Sequence, residues 1–484
     1  MKIRQLIKEL SLYSVEPITL KLVSFLLIPI YTFYLLPAEF GLLQFVISIG
    51  TFLRSISQFG MNTAFWKFRN AQPEKDLSSL SFNLMAAQLF IGMLVFLLSV
   101  VVVFATDPIW KWPFIVYLTA LLVKLVLENY LLVSRAQHNP KQYLFITLTQ
   151  LILFVTCNIL FLSVFGWGVL GVVMAYLVSF FTTSVLYFPR MKTAVFGNYS
   201  TAMVKELLQF GGPLLLGNLS ILILSISDRW FLMALSNETE LGLYSFGYKF
   251  ADLLATFMTY AFQLAWTPIA WKSFQSEEGT RFFHEVEKFI MTFFPIIVFL
   301  ALPVLFSLAG LMTGNSQYRE GLQITYIIAL SHVLYAFYIF NSVKNLHYNK
   351  KKHLIIGNIL AAMLNTFLNI LLIGEFGMFG AAWATLISYA FMYVWIEGVR
   401  IEELAFYRKG RWKLLLINLV ALGVVVYITV SLRANTNMAL LYARSWGAAA
   451  LILALAYALG VISPRYFSVL KNIYTDFRLR KKES

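Results

Sequence analysis

A chain of 484 residues that is 60% hydrophobic and only 13% charged has too little polar surface to cover a water-soluble domain of that size. The hydrophobic residues gather into runs of membrane-spanning length, so the composition excludes a soluble enzyme and predicts an all-α integral membrane protein. A net charge of +15 would suit a nucleic-acid binder, but the positions of the charges decide that question, while a lone cysteine, Cys157, excludes a disulfide framework and a Cys-based metal site.

About 20 apolar residues cross a bilayer core. Fourteen such runs occur, at approximately 12–36, 42–66, 79–104, 112–134, 142–165, 168–188, 207–235, 241–271, 286–312, 321–346, 354–374, 378–399, 412–432 and 438–462. The first follows Lys2, Arg4 and Lys8 and is longer than the roughly 7–15 residues of a signal-peptide core, so it is expected to remain as the first span. Of the 38 lysines and arginines, 28 lie on the side of the N-terminus, around Lys67, Arg135, Arg190, Arg281, Lys350 to Lys352, Arg408 to Lys413 and the tail. Lys111, Arg319 and Arg433 lie opposite. The positive-inside rule therefore places both termini in the cytoplasm, and the basic excess reads as topology, with no nucleic-acid partner. The tail at 463–484 spaces Tyr466, Leu470, Ile473, Tyr474 and Phe477 as an amphipathic helix before Arg478, Arg480, Lys481 and Lys482. It suits an anionic cytoplasmic leaflet, as a topological anchor or a regulatory element.

The chain begins twice. Lys8-Glu9-Leu10, Pro17, a turn at Pro37-Ala38-Glu39, Gly41 and a close on Trp66-Lys67 are matched by Lys205-Glu206-Leu207, Pro213, a turn at Asn237, Glu238 and Glu240, Gly242 and a close on Trp271-Lys272. Further along, Asn139-Pro140-Lys141 parallels Asn349-Lys350-Lys351, Asn158 parallels Asn369, Gly171 parallels Gly380 and Ser179 parallels Ser388, the offset growing from 197 to 211. Both copies start on the cytoplasmic side. The expectation is two parallel six-helix lobes, 1–190 and 205–400, joined by a linker at 191–204 and followed by two further helices in 401–462, with a substrate site at the seam.

Seven basic residues fall within spans: Lys21, Arg54, Lys124, Arg229, Lys249, Lys344 and Arg444. The last two lie near span ends and can snorkel. An intramembrane charge costs at least about 2.5–3.5 kcal/mol, so the other five should face a partner, an aqueous cavity or a charged ligand. Lys124 and Glu128 share a helix face, as do, nearly, Lys249 and Asp252. Asp228 adjoins Arg229, but helix neighbours point about 100° apart and need not pair. Glu16 precedes Lys21 at a poor spacing, and Arg54 has no acid in its own span. Two readings stand: ion pairs locking helices together, or a cavity with more cations than anions that selects an anionic substrate. Tyr31, Tyr34, Tyr248, Tyr260 and Tyr389 could stack on sugars or simply pack; His332 could relay protons or be a satisfied core histidine. Trp66, Trp112, Trp230 and Trp271 read as interfacial belt residues. No phosphate-cradling GxxxxGK[ST], no HExxH and no Gly-x-Ser-x-Gly occurs, so neither an ATP-driven pump nor an enzyme is expected, and no cofactor or metal.

Ser227-Asp228-Arg229-Trp230-Phe231-Leu232, then Leu241-Gly242-Leu243-Tyr244-Ser245 and Lys249, resembles a hairpin of the polysaccharide transporter family, within the multidrug, oligosaccharidyl-lipid and polysaccharide flippase superfamily. The resemblance spans the chain. It implies a flippase of the bacterial inner membrane that moves an undecaprenyl diphosphate-linked oligosaccharide to the outer leaflet, alongside glycosyltransferases and a glycan polymerase as partners. On this reading the diphosphate meets Arg54, Lys21, Lys124, Arg229 and Lys249, and Asp228, Asp252, Glu16 and Glu128 are the candidates for ion coupling. A cation-coupled multidrug exporter and a peptidoglycan-precursor flippase share the superfamily and remain alternatives.

Overall fold

The computed structural model describes residues 23–71, 76–260, 262, 263, 266, 270, 277–399, 411–434 and 438–462. Among these residues there is no β-strand, and eleven helical stretches are long and apolar enough to cross a membrane, so the chain is a multi-pass membrane protein. The expected runs 354–374 and 378–399 are two helices that meet at the non-helical Gly377 (φ 52°, ψ −131°) within the stretch Lys351–Gly398, and those at 12–36 and 241–271 extend beyond the described residues.

The helices are α1 (Ile28–Tyr34), α2 (Pro37–Gln58), α3 (Met61–Ala71), α4 (Leu77–Thr106), α5 (Lys111–Ala136), α6 (Pro140–Ile159), α7 (Gly168–Val195), α8 (Thr201–Leu235), α9 (Glu238–Ala255), α10 (Glu277–Met312), α11 (Thr325–His347), α12 (Lys351–Gly398), α13 (Arg411–Ala434) and α14 (Met438–Ala458). Their starts follow local chemistry. Pro37 needs no N–H partner at the first position of α2, and Glu39 accepts from the Leu36 N–H at 2.8 Å. Asp76 caps α4 by accepting from the Ser78 and Ser79 N–H groups, Asn139 caps α6, and Ser200 caps α8. The expected second span is interrupted: Phe59 (φ 49°) and Gly60 (φ 69°) separate α2 from α3.

The described residues of Met1–Lys249, Leu311–Leu322 and Ile355–Ser388 form one compact unit, and those of Phe250–Gly310, Gln323–Leu354 and Tyr389–Ser484 a second. In the first unit, Met61 and Phe65 of α3 pack with Leu80 and Leu84 of α4, Leu132 of α5 and Leu207 of α8. A second cluster joins Met85, Tyr130, Tyr143, Ile146 and Met191 across α4 to α7. In the second unit, Tyr326 and Ser445 share a hydrogen bond at 2.5 Å, Ser307 and Tyr442 another at 2.9 Å, and Asn418 donates to the Met291 carbonyl at 3.1 Å, which ties α13 and α14 to α10 and α11.

The two hairpins recognised in the sequence meet in the first unit by a reciprocal contact. A Cβ placed on Gly41 would lie 1.9 Å from the Glu238 carbonyl oxygen, and one on Gly242 would lie 1.9 Å from that of Pro37. Each glycine thus touches the residue four before the other, the exchange that a local two-fold relation produces. Glycine is required because the backbones touch. Of the later repeat pairs, Gly171 packs on Phe161 and Gly380 on Leu372, and Gly377 (φ 52°) has two positive-φ counterparts, Gly166 (φ 63°) and Gly168 (φ 52°).

One pairing needs a one-residue correction. His138 (φ 52°) and Asn349 (φ 58°) are the left-handed residues, and the N–H groups of Asn139 and Lys350 bond back to the Ser134 and Asn345 carbonyls. Asn349 therefore matches His138, because the helix C-terminal motif fixes the register and not the side chain. The link from Asn158 to Gly168 is also two residues longer than that from Asn369 to Gly377, and a π-helical turn at Leu160–Val164 lies within it.

Candidate functional site

Arg54, near the C-terminal end of α2, finds its acid on another helix. Arg54 Nη1 lies 2.5 Å from Glu128 Oε1 of α5, and Gln58, one turn past Arg54, donates to Glu128 Oε2 at 2.8 Å. Lys124 Nζ is 3.7 Å from the same Oε1. One carboxylate thus serves two cations and an amide. The Arg54, Lys124 and Glu128 side chains are 25%, 28% and 23% exposed, neither sealed in the core nor free at the surface. Lys124 also lies 5.2 Å from the Phe180 ring centroid. Leu53, Leu118, Leu121, Leu122 and Leu125 wall one side of Arg54, which lowers the local dielectric and strengthens its interaction with Glu128.

A second polar group forms around Asp228 of α8. Its side chain is fully buried, and Arg229 folds back to place Nη1 2.9 Å from Asp228 Oδ1 and 3.1 Å from the Ser225 carbonyl. The neighbours do pair, because the long arginine side chain spans the angle that the backbone puts between them. Tyr244 of α9 donates to Asp228 Oδ2, and the Arg229 guanidinium lies 4.8 Å from the Tyr248 ring centroid. Beside it, Ser227 donates to Asn365 Oδ1 at 3.3 Å and Asn369 donates to the same oxygen at 3.1 Å, joining α8 to α12. Trp230, expected in an interfacial belt, instead donates to Ser48 Oγ at 3.0 Å and packs edge-on against Phe52, binding α8 to α2.

The other expected residues are distributed as follows. Lys249 donates to Ser24 Oγ at 3.0 Å, just ahead of α1. Lys21 and Glu16 lie outside the described residues. Asp252 belongs to the second compact unit, where its carbonyl accepts from Thr256. Tyr31 is buried and donates to Asn158 at 3.1 Å, Tyr34 is exposed, and Tyr389 lies in the second unit with its ring 6.5 Å from that of His332. Gln58, Tyr244 and Asn365 were not anticipated as participants. Gln58 had a signal, its one-turn spacing from Arg54; Asn365 likewise lies one turn before Asn369.

Residues 6–274 match the family described as "Polysaccharide biosynthesis protein". No curated protein sequence matches the chain. Among solved structures, the chain is similar to the lipid II flippase MurJ in an inward closed conformation, with a TM-score of 0.68 at 14% identity, covering 92% of this chain and 99% of that one. It is also similar to an inward-facing multidrug resistance MATE transporter of the MOP superfamily, with a TM-score of 0.61, 13% identity and coverage of 80% and 96%. A Pyrococcus furiosus MOP superfamily transporter, described as having a binding pocket of reverse polarity, aligns with a TM-score of 0.55, 14% identity and coverage of 81% and 95%. At such identities the likeness establishes a common fold, that of MurJ and the MATE transporters.

Proposed function

The chain belongs to the polysaccharide biosynthesis protein family, and from that premise we propose that it is a flippase, not an enzyme, whose cargo is an oligosaccharide carried on undecaprenyl diphosphate. The observation that carries this reading is the convergence of Arg54 and Lys124 on one carboxylate, Glu128, which sets two cations side by side within membrane-spanning helices. A diphosphate would meet both cations at once, and Arg54 presents a planar fork matched to phosphate oxygens. Arg229, Lys249 and Lys21 complete the proposed cationic set. The proposed architecture is fourteen spans with both termini in the cytoplasm, arranged as two six-helix lobes and a final pair. Alternating access by the lobes carries the diphosphate and sugars through the interior while the prenyl tail stays in lipid. Among the described residues Glu128, Asp228 and Asp252 are the candidates for ion coupling, the first two already engaged by a cation that a coupling ion or substrate would have to displace.

The test is translocation of a fluorescent undecaprenyl diphosphate-linked oligosaccharide in liposomes holding the purified chain. Cargo reaching the opposite leaflet supports the reading, and background transfer overturns it. The likeness to MurJ favours one second reading, a peptidoglycan-precursor flippase. Lipid II moving in place of the oligosaccharide in the same liposomes would establish it.

A further inference from the structure

Away from the charge clusters, a groove of about 680 Å³ opens at the ends of α5, α6 and α7. Gln137, Asn139, Gln142, Phe145, Tyr187, Arg190, Thr193 and Ala194 line it, with no acidic residue among them. Most of these polar groups are already oriented: Asn139 donates to Gln142 Oε1 at 2.9 Å and accepts from its N–H, Gln142 donates to the Tyr130 hydroxyl, and Tyr187 shares a hydrogen bond with Thr149 at 3.1 Å. The Arg190 guanidinium differs. It is exposed and forms no ion pair or hydrogen bond among the described residues. On the same helices, Phe145 is 63% exposed and Leu186 61% exposed, and Val185 and Phe188 are exposed too. The groove therefore offers an unpaired guanidinium and neutral donors together with a bare apolar margin.

We propose that this groove binds the headgroup of an anionic phospholipid of the surrounding membrane. Arg190 pairs with the phosphodiester, the amides of Gln137 and Asn139 serve the headgroup oxygens, and the acyl chains lie along Phe145 and the exposed face of α7. Three properties select such a lipid. The lone cation lacks the acid that would compensate it, the lining is rich in neutral donors, and the apolar side chains begin where the polar lining ends. A free phosphate would satisfy the first two and leave the apolar margin bare. A zwitterionic lipid brings its own ammonium to a site that has no carboxylate to receive it. The groove is separate from the Arg54 and Asp228 groups, so its lipid is independent of whatever cargo the protein moves.

The experiment is native mass spectrometry of the full purified chain, delipidated in detergent and titrated with phosphatidylglycerol or phosphatidylcholine. Retention of about one phosphatidylglycerol, and weaker retention of phosphatidylcholine, supports the proposal; equal retention overturns it. Arg190→Gln should lower phosphatidylglycerol retention about fivefold, as loss of one basic contact predicts. Thr193→Glu, which places a carboxylate in the groove, should lower it at least as far. Lys192→Gln changes a neighbouring exposed lysine outside the lining and should leave retention within about twofold. An Arg190→Gln protein that melts like the parent and retains phosphatidylglycerol fully overturns the proposal, as does an equal loss in Lys192→Gln, which would make the effect one of general surface charge. Inorganic phosphate that displaces the lipid at millimolar concentration would identify an anion site indifferent to acyl chains and overturn the lipid assignment.

Discussion

Arg54 is tolerated inside a membrane-spanning helix because Glu128 reaches it from α5, and Gln58 and Lys124 engage the same carboxylate. Removing one member therefore leaves the rest partly compensated. Arg54→Ala should remain in the membrane at near-normal abundance and destabilise the fold by about 1 kcal/mol, since the pair is a quarter exposed and Lys124 still faces the carboxylate. Surface glycan export should be lost. Arg54→Lys should restore part of it, because lysine keeps the charge and loses the bidentate fork. Membrane immunoblots together with glycan staining read both quantities, and normal export in Arg54→Ala would remove Arg54 from the site. Glu128→Gln works in the opposite sense. It keeps the hydrogen bond to Gln58 and removes the anion that Arg54 and Lys124 both face, so the lipid diphosphate should bind tighter and leave more slowly, read as raised retention in a pull-down with reduced turnover.

At the level of elements, the same residue type has opposite effects at different places. Gly41 and Gly242 lie where two helix backbones touch, and any side chain forces the helices apart. Gly217 of α8 sits in open space, with nothing within 4 Å of where a Cβ would stand. Alanine at Gly41 or Gly242 should lower the melting temperature in detergent. Gly217→Ala should leave it unchanged or raise it, by up to about 1 kcal/mol of helix propensity. Equal shifts at all three positions would show that the reciprocal contact contributes nothing. The cap of α4 gives a pH-dependent case. Hydrogen bonds from the Ser78 and Ser79 hydroxyls hold the Asp76 carboxyl down, to about 2. A depressed carboxyl stabilises the fold above its unfolded value, near 3.9, and that stabilisation fades as pH falls through about 2. Asp76→Ala should cost about 1 kcal/mol at pH 7, begin to converge with the parent near pH 4, and match it below about 2 in melting experiments across that range.

For the molecule as a whole, reporter fusions at Glu238 and Gln317 should report the outer side and fusions at Lys350 the cytoplasm; Glu238 in the cytoplasm would overturn the orientation. That prediction needs nothing beyond the sequence, because hydrophobic length and loop charge are additive along the chain and act on each span almost independently. The same locality made the hairpin repeat and the isolated cations legible: Gly41 and Gly242, Asn158 and Asn369, Arg54 and Lys124 each stand out from their own neighbourhoods. Local pattern failed where backbone geometry outranked side-chain identity, as at His138, whose left-handed turn sets the register in place of Asn139. It failed more completely for partners. Arg54 and Glu128 are 74 positions apart, Ser48 and Trp230 are 182, and Ser227 and Asn365 are 138. Which acid faces Arg54, and which hydroxyl receives Trp230, depends on how each helix is rotated about its axis, and close packing against several neighbours at once sets that rotation. The sequence by itself determined the apolar runs and the charges that demand partners, whereas tertiary packing alone decided which partners they meet.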